Sequence, residues 1–170
     1  AGFYPPGTLG TPATSRYIAH LIGNIVFTNG GQGVATASNG KPIRLTKGND
    51  FEFDPSFSFD GKNLIYVTWN DTTLGRFANL ILVFQIKTEI LSKDKGIYRN
   101  PSYAPDGNSI VYVKEEGNEI LGFNHTVNPG IYTMTSSGAN IKLVVDHGST
   151  PFYNHTGDRI YFQTENSLSS

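Results

Sequence analysis

Apolar residues in the middle of the chain occur in short runs separated by polar turns, and these runs recur at a nearly fixed spacing. The stretches DPSFSFDGKNLIYV (54–67) and NPSYAPDGNSIVYV (100–113) align without a gap, and TPFYNHTGDRIYF (150–162) follows the same pattern more loosely. The second copy begins 46 residues after the first, and the third begins 50 residues after the second. Three copies in register indicate a repeat protein.

Each copy predicts a β-hairpin. A short strand carries an inward aromatic residue, an Asp-Gly pair or its counterpart makes a tight turn, and a strand of β-branched and aromatic residues follows. The second strands, LIYV, IVYV and IYF, are apolar without clean alternation, so we expect neighbouring sheets to cover both of their faces. The aromatic residues on the repeating columns are predicted to lie in the core: Phe57, Tyr66, Tyr103, Tyr112, Tyr153 and Phe162.

A second recurring phrase completes the repeating unit. SNGKPIRLT (38–46) and SSGANIKLV (136–144) each have Gly at a turn and Leu five residues later. In the middle unit we expect the equivalent turn at Lys87-Thr88. The glycine-rich TNGGQG (28–33) lacks the Lys-Ser/Thr ending of a phosphate-binding loop, so it predicts a hairpin turn.

The repeat unit therefore has four short strands, and such a unit must stack on its neighbours because it cannot bury its own faces. Radial stacking of four-stranded sheets is a β-propeller, whereas a parallel β-helix needs shorter coils and a sandwich does not repeat its sequence at this period. We predict an all-β fold, a partial β-propeller of about three and a half four-stranded blades in one domain. The expected blades are 1–49, 50–96, 97–146 and an incomplete 147–170.

Two points about the propeller stay open at this stage. The register of the first blade is open, because Arg16–Ile18 and Asn24–Thr28 fit a strand equally well. The way in which the ring closes is also open, because closed propellers have about four to eight blades and this chain supplies about three and a half. We expect the chain to be a fragment of a longer protein, and the alternative is a small ring in which N-terminal strands complete the last sheet.

Composition narrows the classes of partner and of chemistry. The 170 residues carry a formal net charge of −1, which gives no broad basic surface for nucleic acid or anionic membrane. The longest apolar run, NLILVF (79–84), is too short to span a bilayer. Because there is no cysteine, disulfides, thiolate metal sites and cysteine nucleophiles are excluded.

The repeated phrase resembles the WD40-like propeller repeat of TolB and of the tricorn-type peptidases. More narrowly, residues 42–71 followed by 96–114 look like the TolB-like propeller that precedes the metal-dependent amidohydrolase domain of certain secreted bacterial enzymes. Two departures are Phe59, where the repeat usually has Pro as at Pro105, and NHTGD (154–158) in place of the Asp-Gly turn. The resemblance implies a periplasmic or secreted protein.

The sequence offers no set of residues for catalysis or for metal binding. None of the four histidines stands in an H-x-H, H-E-x-x-H or H-x-E setting, so we expect no metal and no cofactor, and the amidohydrolase resemblance transfers no catalytic residue. Asp60 and Asp106 each precede Gly in a tight turn, where Asp is favoured because its carboxylate accepts a local backbone hydrogen bond. There is no G-x-S-x-G elbow.

The candidate binding residues lie in the crossovers between one blade and the next, 47–54, 93–100 and 146–150. In a propeller these segments converge at one mouth of the central channel. We expect Glu52, Asp54, Arg99 and His147 to contact a ligand or partner there. The insertion 115–129 is a second candidate, because its apolar residues Ile120, Leu121 and Phe123 are suited to docking on another domain.

Three hypotheses for function follow. In the first, the chain is a non-catalytic propeller that scaffolds, gates or binds for a covalently linked hydrolase domain of the amidohydrolase type. In the second, it is a stand-alone periplasmic protein of the TolB kind that grips a protein or peptide at the channel mouth. The third, a propeller hydrolase with carboxylates at the mouth, depends on Glu52 and Asp54 alone.

Overall fold

The computed structural model consists of antiparallel sheets, and the described residues include no helix. Within the described residues, three sheets have four strands and the last has three, and each sheet is a meander of consecutive strands. We call the sheets blades 1 to 4 in chain order. The structure describes residues 19–21, 24–29, 32–36, 42–44, 46, 50–70, 74–81, 87–92, 94, 96–115, 128–164 and 167–169.

The strands of the four blades have the following bounds. Blade 1 contains β1 (Ala19–Leu21), β2 (Asn24–Asn29), β3 (Gln32–Thr36) and β4 (Pro42–Arg44). Blade 2 contains β5 (Phe51–Phe57), β6 (Asn63–Asn70), β7 (Leu74–Ile81) and β8 (Lys87–Ile90). Blade 3 contains β9 (Tyr98–Tyr103), β10 (Ser109–Lys114), β11 (Gly130–Thr135) and β12 (Lys142–Val145). Blade 4 contains β13 (Ser149–Tyr153), β14 (Ile160–Thr164) and β15 (Ser167–Ser169).

The first strand of each blade contacts the first strand of the next. β1 lies against β5, β5 against β9, and β9 against β13. The sheets are therefore arranged side by side around their first strands, and the last strands β4, β8 and β12 lie at the periphery. This is the radial arrangement that the repeat predicts.

The second strand of blades 2 and 3 is buried on both faces. Residues 64–67 and 110–113 are all buried, although alternate side chains point to opposite sides of a strand. One face of blade 3 shares a core cluster with blade 2, and the other packs on Phe162 and its neighbours in blade 4. Two-sided covering is thus confirmed for these blades, whereas Ile160 and Tyr161 of blade 4 are only half-buried.

The predicted hairpins and their turns are confirmed in blades 2 to 4. The Asp60 carboxylate accepts hydrogen bonds from the Lys62 N–H at 3.0 Å and from the Ser58 hydroxyl at 2.7 Å. The Asp106 carboxylate accepts one from the Asn108 N–H at 2.9 Å. Five of the six repeating aromatic residues are buried, and Tyr153 is half-buried.

A bulge interrupts the first strand of blades 2, 3 and 4 at the same column of the repeat. The residue before the repeated proline has a positive φ in each copy: 50° at Asp54, 48° at Asn100 and 48° at Thr150. The ladder to the neighbouring strand shifts register at each of these places. Proline has no N–H to donate, so a bulge is where a strand accommodates it. Asp and Asn tolerate the left-handed conformation, whereas it strains β-branched Thr150.

The structure corrects one sequence prediction and leaves others untested. The turn expected at Lys87-Thr88 was wrong, because both residues belong to β8, which pairs with β7. The hairpin turn in TNGGQG is confirmed, since Asn29 pairs with Gln32. The exact blade boundaries stay predictions. Several residues of interest lie outside the described residues: Arg16, Tyr17, Ile18, Ile120, Leu121 and Phe123.

Close packing between blades 2 and 3 can be tested at Gly138. Gly138 (φ 79°) and Gly107 (φ 73°) have similar left-handed conformations. A Cβ on Gly138 would clash with the backbone oxygen of Leu91, whereas a Cβ on Gly107 would have no described neighbour within 4 Å. We expect Gly107→Ala to lower the free energy of unfolding by about 1 kcal/mol through strain alone, and Gly138→Ala to lower it by about 2–4 kcal/mol because the Leu91 backbone must also shift.

Urea unfolding of both variants measures the difference. An equal loss in the two variants would show that the turn of blade 3 does not pack on blade 2 as described.

Candidate functional site

The first strands of blades 2, 3 and 4 bring the crossover segments to the same end of the stack. β5, β9 and β13 are equivalent strands of the repeat, and each is entered from the last strand of the preceding blade. Their starting residues therefore lie at the same end of the stack, which we call the mouth. Glu52, Asp54 and Arg99 are on β5 and β9, and His147 is in the turn before β13.

Asp54 and Arg99 form an ion pair between blades 2 and 3. The Arg99 Nε donates to Asp54 Oδ2 at 2.8 Å, and the backbone N–H of Asn100 donates to the same oxygen at 2.8 Å. The side chain of Asp54 is 1% exposed and that of Arg99 is 17% exposed. The Arg99 guanidinium also lies over the Phe53 ring, 5.4 Å from its centroid. This carboxylate is therefore held by charge-assisted hydrogen bonds in a nearly dry environment.

The bulge explains how one oxygen reaches two donors. Asp54 and Asn100 occupy the same column of successive blades, so the carboxylate of one bulge accepts from the backbone of the next. The other oxygen of Asp54, Oδ1, is buried and has no hydrogen-bond partner among the described residues. The junction is thus polar and only partly satisfied, which is costly in a low-dielectric environment.

Glu52 and Glu115 are the other acidic residues near this junction. Glu52 is buried, and its Oε2 accepts a hydrogen bond from the Thr46 hydroxyl at 2.5 Å. Glu115 follows β10, and its backbone N–H donates to the Ile97 carbonyl at 2.8 Å. The pKa of the Glu115 carboxyl is raised above its ordinary value, chiefly by burial. The positive charge of Arg99 offsets part of this increase, and the negative charge of Asp54 adds to it.

His147 is at the mouth but is separate from the Asp54–Arg99 pair. It is exposed, its Nδ1 lies 2.8 Å from Asp146 Oδ1, and its ring is edge-on to Phe162 at 6.0 Å. The hydrogen bond from His147 lowers the pKa of the Asp146 carboxyl. The structure therefore brings Asp54 and Arg99 into contact, buries Glu52 beside Thr46, and leaves His147 facing solvent.

The two buried carboxylates at this mouth already have partners within the fold. Asp54 is neutralised by Arg99, and Glu52 accepts a hydroxyl hydrogen bond. Within the part of the chain that the structure describes, no three His, Cys, Asp or Glu side chains could hold a metal ion together. The same residues include no helix long and apolar enough to cross a bilayer.

Sequence reasoning missed the bond between blades and the involvement of Glu115. The signal for the bond was available, because an Asp, Asn or Thr precedes the proline in every copy. The partners are 45 residues apart in the chain, so local patterns did not reveal the pairing. Glu115 begins the predicted insertion, where no motif marked it.

Comparisons with known proteins found similar solved structures but no similar sequences. No family model matches the sequence, and no curated protein matches it. The structure superposes on TolB from Agrobacterium tumefaciens with a TM-score of 0.65 and 19% identity, covering 82% of this chain and 50% of that one. The fold is that of a TolB-like β-propeller. The predicted all-β partial propeller and its structural resemblance are therefore confirmed.

Two further structures show the same architecture. TolB from Acinetobacter baumannii has a TM-score of 0.62 and 18% identity, over 85% of this chain and 35% of that one. The tricorn protease has a TM-score of 0.57 and 15% identity, over 86% of this chain and 15% of that one. This chain thus spans half the length of the first TolB structure and less of the other two.

The Asp54–Arg99 pair gives a prediction for stability. Asp54→Ala leaves the Arg99 guanidinium and the Asn100 N–H without their acceptor, so we expect the free energy of unfolding to fall by about 3 kcal/mol. Lys62→Ala is the matched control, because it breaks the exposed pair with Asp60 at 3.4 Å and should cost less than about 1 kcal/mol. A double-mutant cycle of Asp54→Ala with Arg99→Ala, followed by urea unfolding, measures the coupling. Additive losses would show that the pair does not connect the blades.

Glu115 gives a prediction for pH dependence. Its raised pKa means that the folded protein binds this proton more tightly than the unfolded chain. The folded state therefore loses stability, relative to Glu115→Gln, as pH rises through the ordinary range of a carboxyl and into the raised range. Below that range the carboxyl is protonated in both states, so its ionisation makes no contribution. Measuring the free energy of unfolding of both proteins from about pH 4 to pH 8 tests this prediction. A difference in free energy between the two proteins that stays constant over this range would contradict it.

Proposed function

We propose that this propeller is a non-catalytic module that binds a protein or peptide for a hydrolase of the amidohydrolase-related class, to which it is covalently linked. The proposal depends on the side chains at the mouth, where the first strands of the blades begin. Its carboxylates already interact with Arg99 and Thr46 within the fold, while His147, which is separate from them, is exposed. Such a mouth offers polar contacts to a partner without a free nucleophile and base.

The four candidate residues have different parts in this proposal. Glu52 and Asp54 are buried, so they fix the shape of the mouth, and Asp54 positions Arg99. Arg99 and His147 are the residues that a partner contacts, because 17% of the Arg99 side chain and 61% of the His147 side chain are exposed. We infer an acidic or hydrogen-bond-accepting partner surface, since both side chains present donors to it.

The fold comparison supports the hydrolase context and also a second candidate function. The tricorn protease contains a region with the same fold, which is consistent with a propeller acting beside a hydrolytic domain. The TolB structures superpose with higher TM-scores, and they favour a stand-alone binding protein. Under either function we propose a periplasmic or secreted location and a protein or peptide partner.

Affinity capture combined with an activity assay tests the function. The chain should not hydrolyse ester, amide or peptide substrates with or without divalent metal, because no reacting group is proposed at its mouth. Turnover by the purified chain, absent in an Asp54→Ala variant that remains folded, would overturn the non-catalytic assignment. The partner bound from a bacterial envelope extract should be identified by mass spectrometry and remade in pure form.

A pair of histidine variants shows whether the mouth carries the binding. His147→Ala should weaken capture of the purified partner several-fold, because it removes an exposed donor at the mouth. His155→Ala is the control, since His155 is exposed in the turn at the other end of β13. Equal effects of the two variants would contradict binding at the mouth. A separate envelope protein as partner favours the TolB-type function over a linked hydrolase.

A further inference from the structure

Glu115 lies on the same side of blade 3 as Arg99. Arg99 pairs with Val113 in the ladder between β9 and β10. The Glu115 N–H donates to the Ile97 carbonyl at 2.8 Å, which continues that ladder beyond the last strand pair. Residues two apart on a strand project to the same side of the sheet. Glu115 and Arg99 are therefore diagonal cross-strand neighbours, a separation of about 7–8 Å that long side chains can span.

Arg99 thus stands between two carboxylates that come from different blades. Asp54 of blade 2 accepts a hydrogen bond from the Arg99 Nε at 2.8 Å, and Glu115 belongs to the same blade as Arg99. When all three groups are ionised, they carry one positive and two negative charges. Charges at such separations interact appreciably at a partly buried site, where the effective dielectric constant is about 20. Protonation of Glu115 brings the net charge of this cluster from −1 to zero.

The environment of Glu115 favours its neutral form. The side chain is half-buried. Burial raises the pKa of the Glu115 carboxyl, the positive charge of Arg99 offsets part of the increase, and the negative charge of Asp54 adds to it. Glu115 therefore takes up a proton at a pH above the usual range of a carboxyl group.

The other charged groups at the mouth, among the described residues, come from the segments around β5, β9, β10 and β13. They are Asp50, Glu52, Asp94, Lys114, Asp146 and His147. Glu52 accepts a hydrogen bond from Thr46, and Lys114 projects to the opposite side of blade 3 from Glu115 because the two are adjacent in sequence. The hydrogen bond from His147 lowers the pKa of the Asp146 carboxyl, so Asp146 stays ionised where Glu115 changes its charge.

We propose that Glu115 couples binding at the mouth to the uptake of a proton, so that an acidic partner in contact with Arg99 binds more tightly when Glu115 is protonated. This inference rests on the proposed function, in which Arg99 contacts the partner. An anion beside Arg99 is repelled by two carboxylates when Glu115 is ionised and by one when it is neutral. Linkage is reciprocal, so the bound anion makes Glu115 hold its proton more tightly.

Sulfate is a suitable probe of this coupling, because its own charge does not change over the pH range of interest. Its binding is followed at the Arg99 Nε–H resonance by NMR, from about pH 4 to pH 8. We expect Glu115→Gln and the unchanged protein to bind sulfate equally at the lower end of this range. At the upper end the unchanged protein should bind at least about threefold more weakly than Glu115→Gln, since only its cluster has gained a negative charge.

A remote carboxylate controls for the change in net charge. Asp106 is exposed in the turn at the other end of β9, roughly 20 Å from Glu115 along the strand. This separation exceeds the Debye length of about 8 Å at physiological ionic strength. Asp106→Asn keeps a side-chain oxygen to accept from the Asn108 N–H, and it should change the affinity for sulfate by less than about twofold at every pH.

A second titration requires no variant. The side-chain carboxyl carbon of Glu115 is titrated by NMR without sulfate and with saturating sulfate. We expect sulfate to raise the midpoint by about half a pH unit or more, which corresponds to the threefold change in affinity.

Each alternative result would overturn the coupling. These results are the same pH dependence in the unchanged protein and Glu115→Gln, a Glu115 midpoint that sulfate leaves in place, and an Arg99 resonance that does not respond to sulfate. Tighter binding by the unchanged protein at high pH would mean that Glu115 attracts the ligand, which also overturns it. The measurements use no protein partner, so the coupling can fail while partner capture at the mouth succeeds, and the reverse.

Discussion

A four-stranded antiparallel sheet with apolar residues on both faces must pack against another sheet on each face, and the stacking of the blades follows from this requirement. Ile65 and Val111 on one face, and Leu64 and Ile110 on the other, are almost completely inaccessible to water. A single blade in water would expose these residues, at a cost of roughly 25 cal/mol per Å² of apolar surface. Each blade therefore needs its neighbours in order to bury its apolar faces.

Stacking also determines what the polar groups at the mouth can do. When two blades meet, the starts of β5 and β9 lose solvent, and a carboxylate there needs partners from the adjacent blade. Asp54 obtains them from Arg99 and from the backbone of Asn100. Asp54 and Arg99, which the sequence suggested as ligand contacts, are therefore also components of the interface between blades 2 and 3.

Local patterns predicted the hairpins, the Asp turns and the buried columns because each depends on residues close together in the chain. Asp60, for example, accepts from an N–H two residues away. The ion pair of Asp54 could not be predicted in this way, because its donors are 45 and 46 residues distant and depend on the bulge geometry. The turn misplaced at Lys87-Thr88 shows the other limit, since Thr is a good strand residue and pairing with β7 decides the local structure.

The one-sided support of blade 4 has a consequence for the dynamics of the molecule. Blade 3 is held between two sheets, whereas within the described residues blade 4 packs only on blade 3, and Phe152 and Tyr161 stack on each other at its solvent side. In arrays of repeats, a unit that packs on one neighbour opens at a lower free energy than a unit held on both sides. Amide protons of β14 should therefore exchange with solvent through local fraying, while those of β10 wait for a larger cooperative opening.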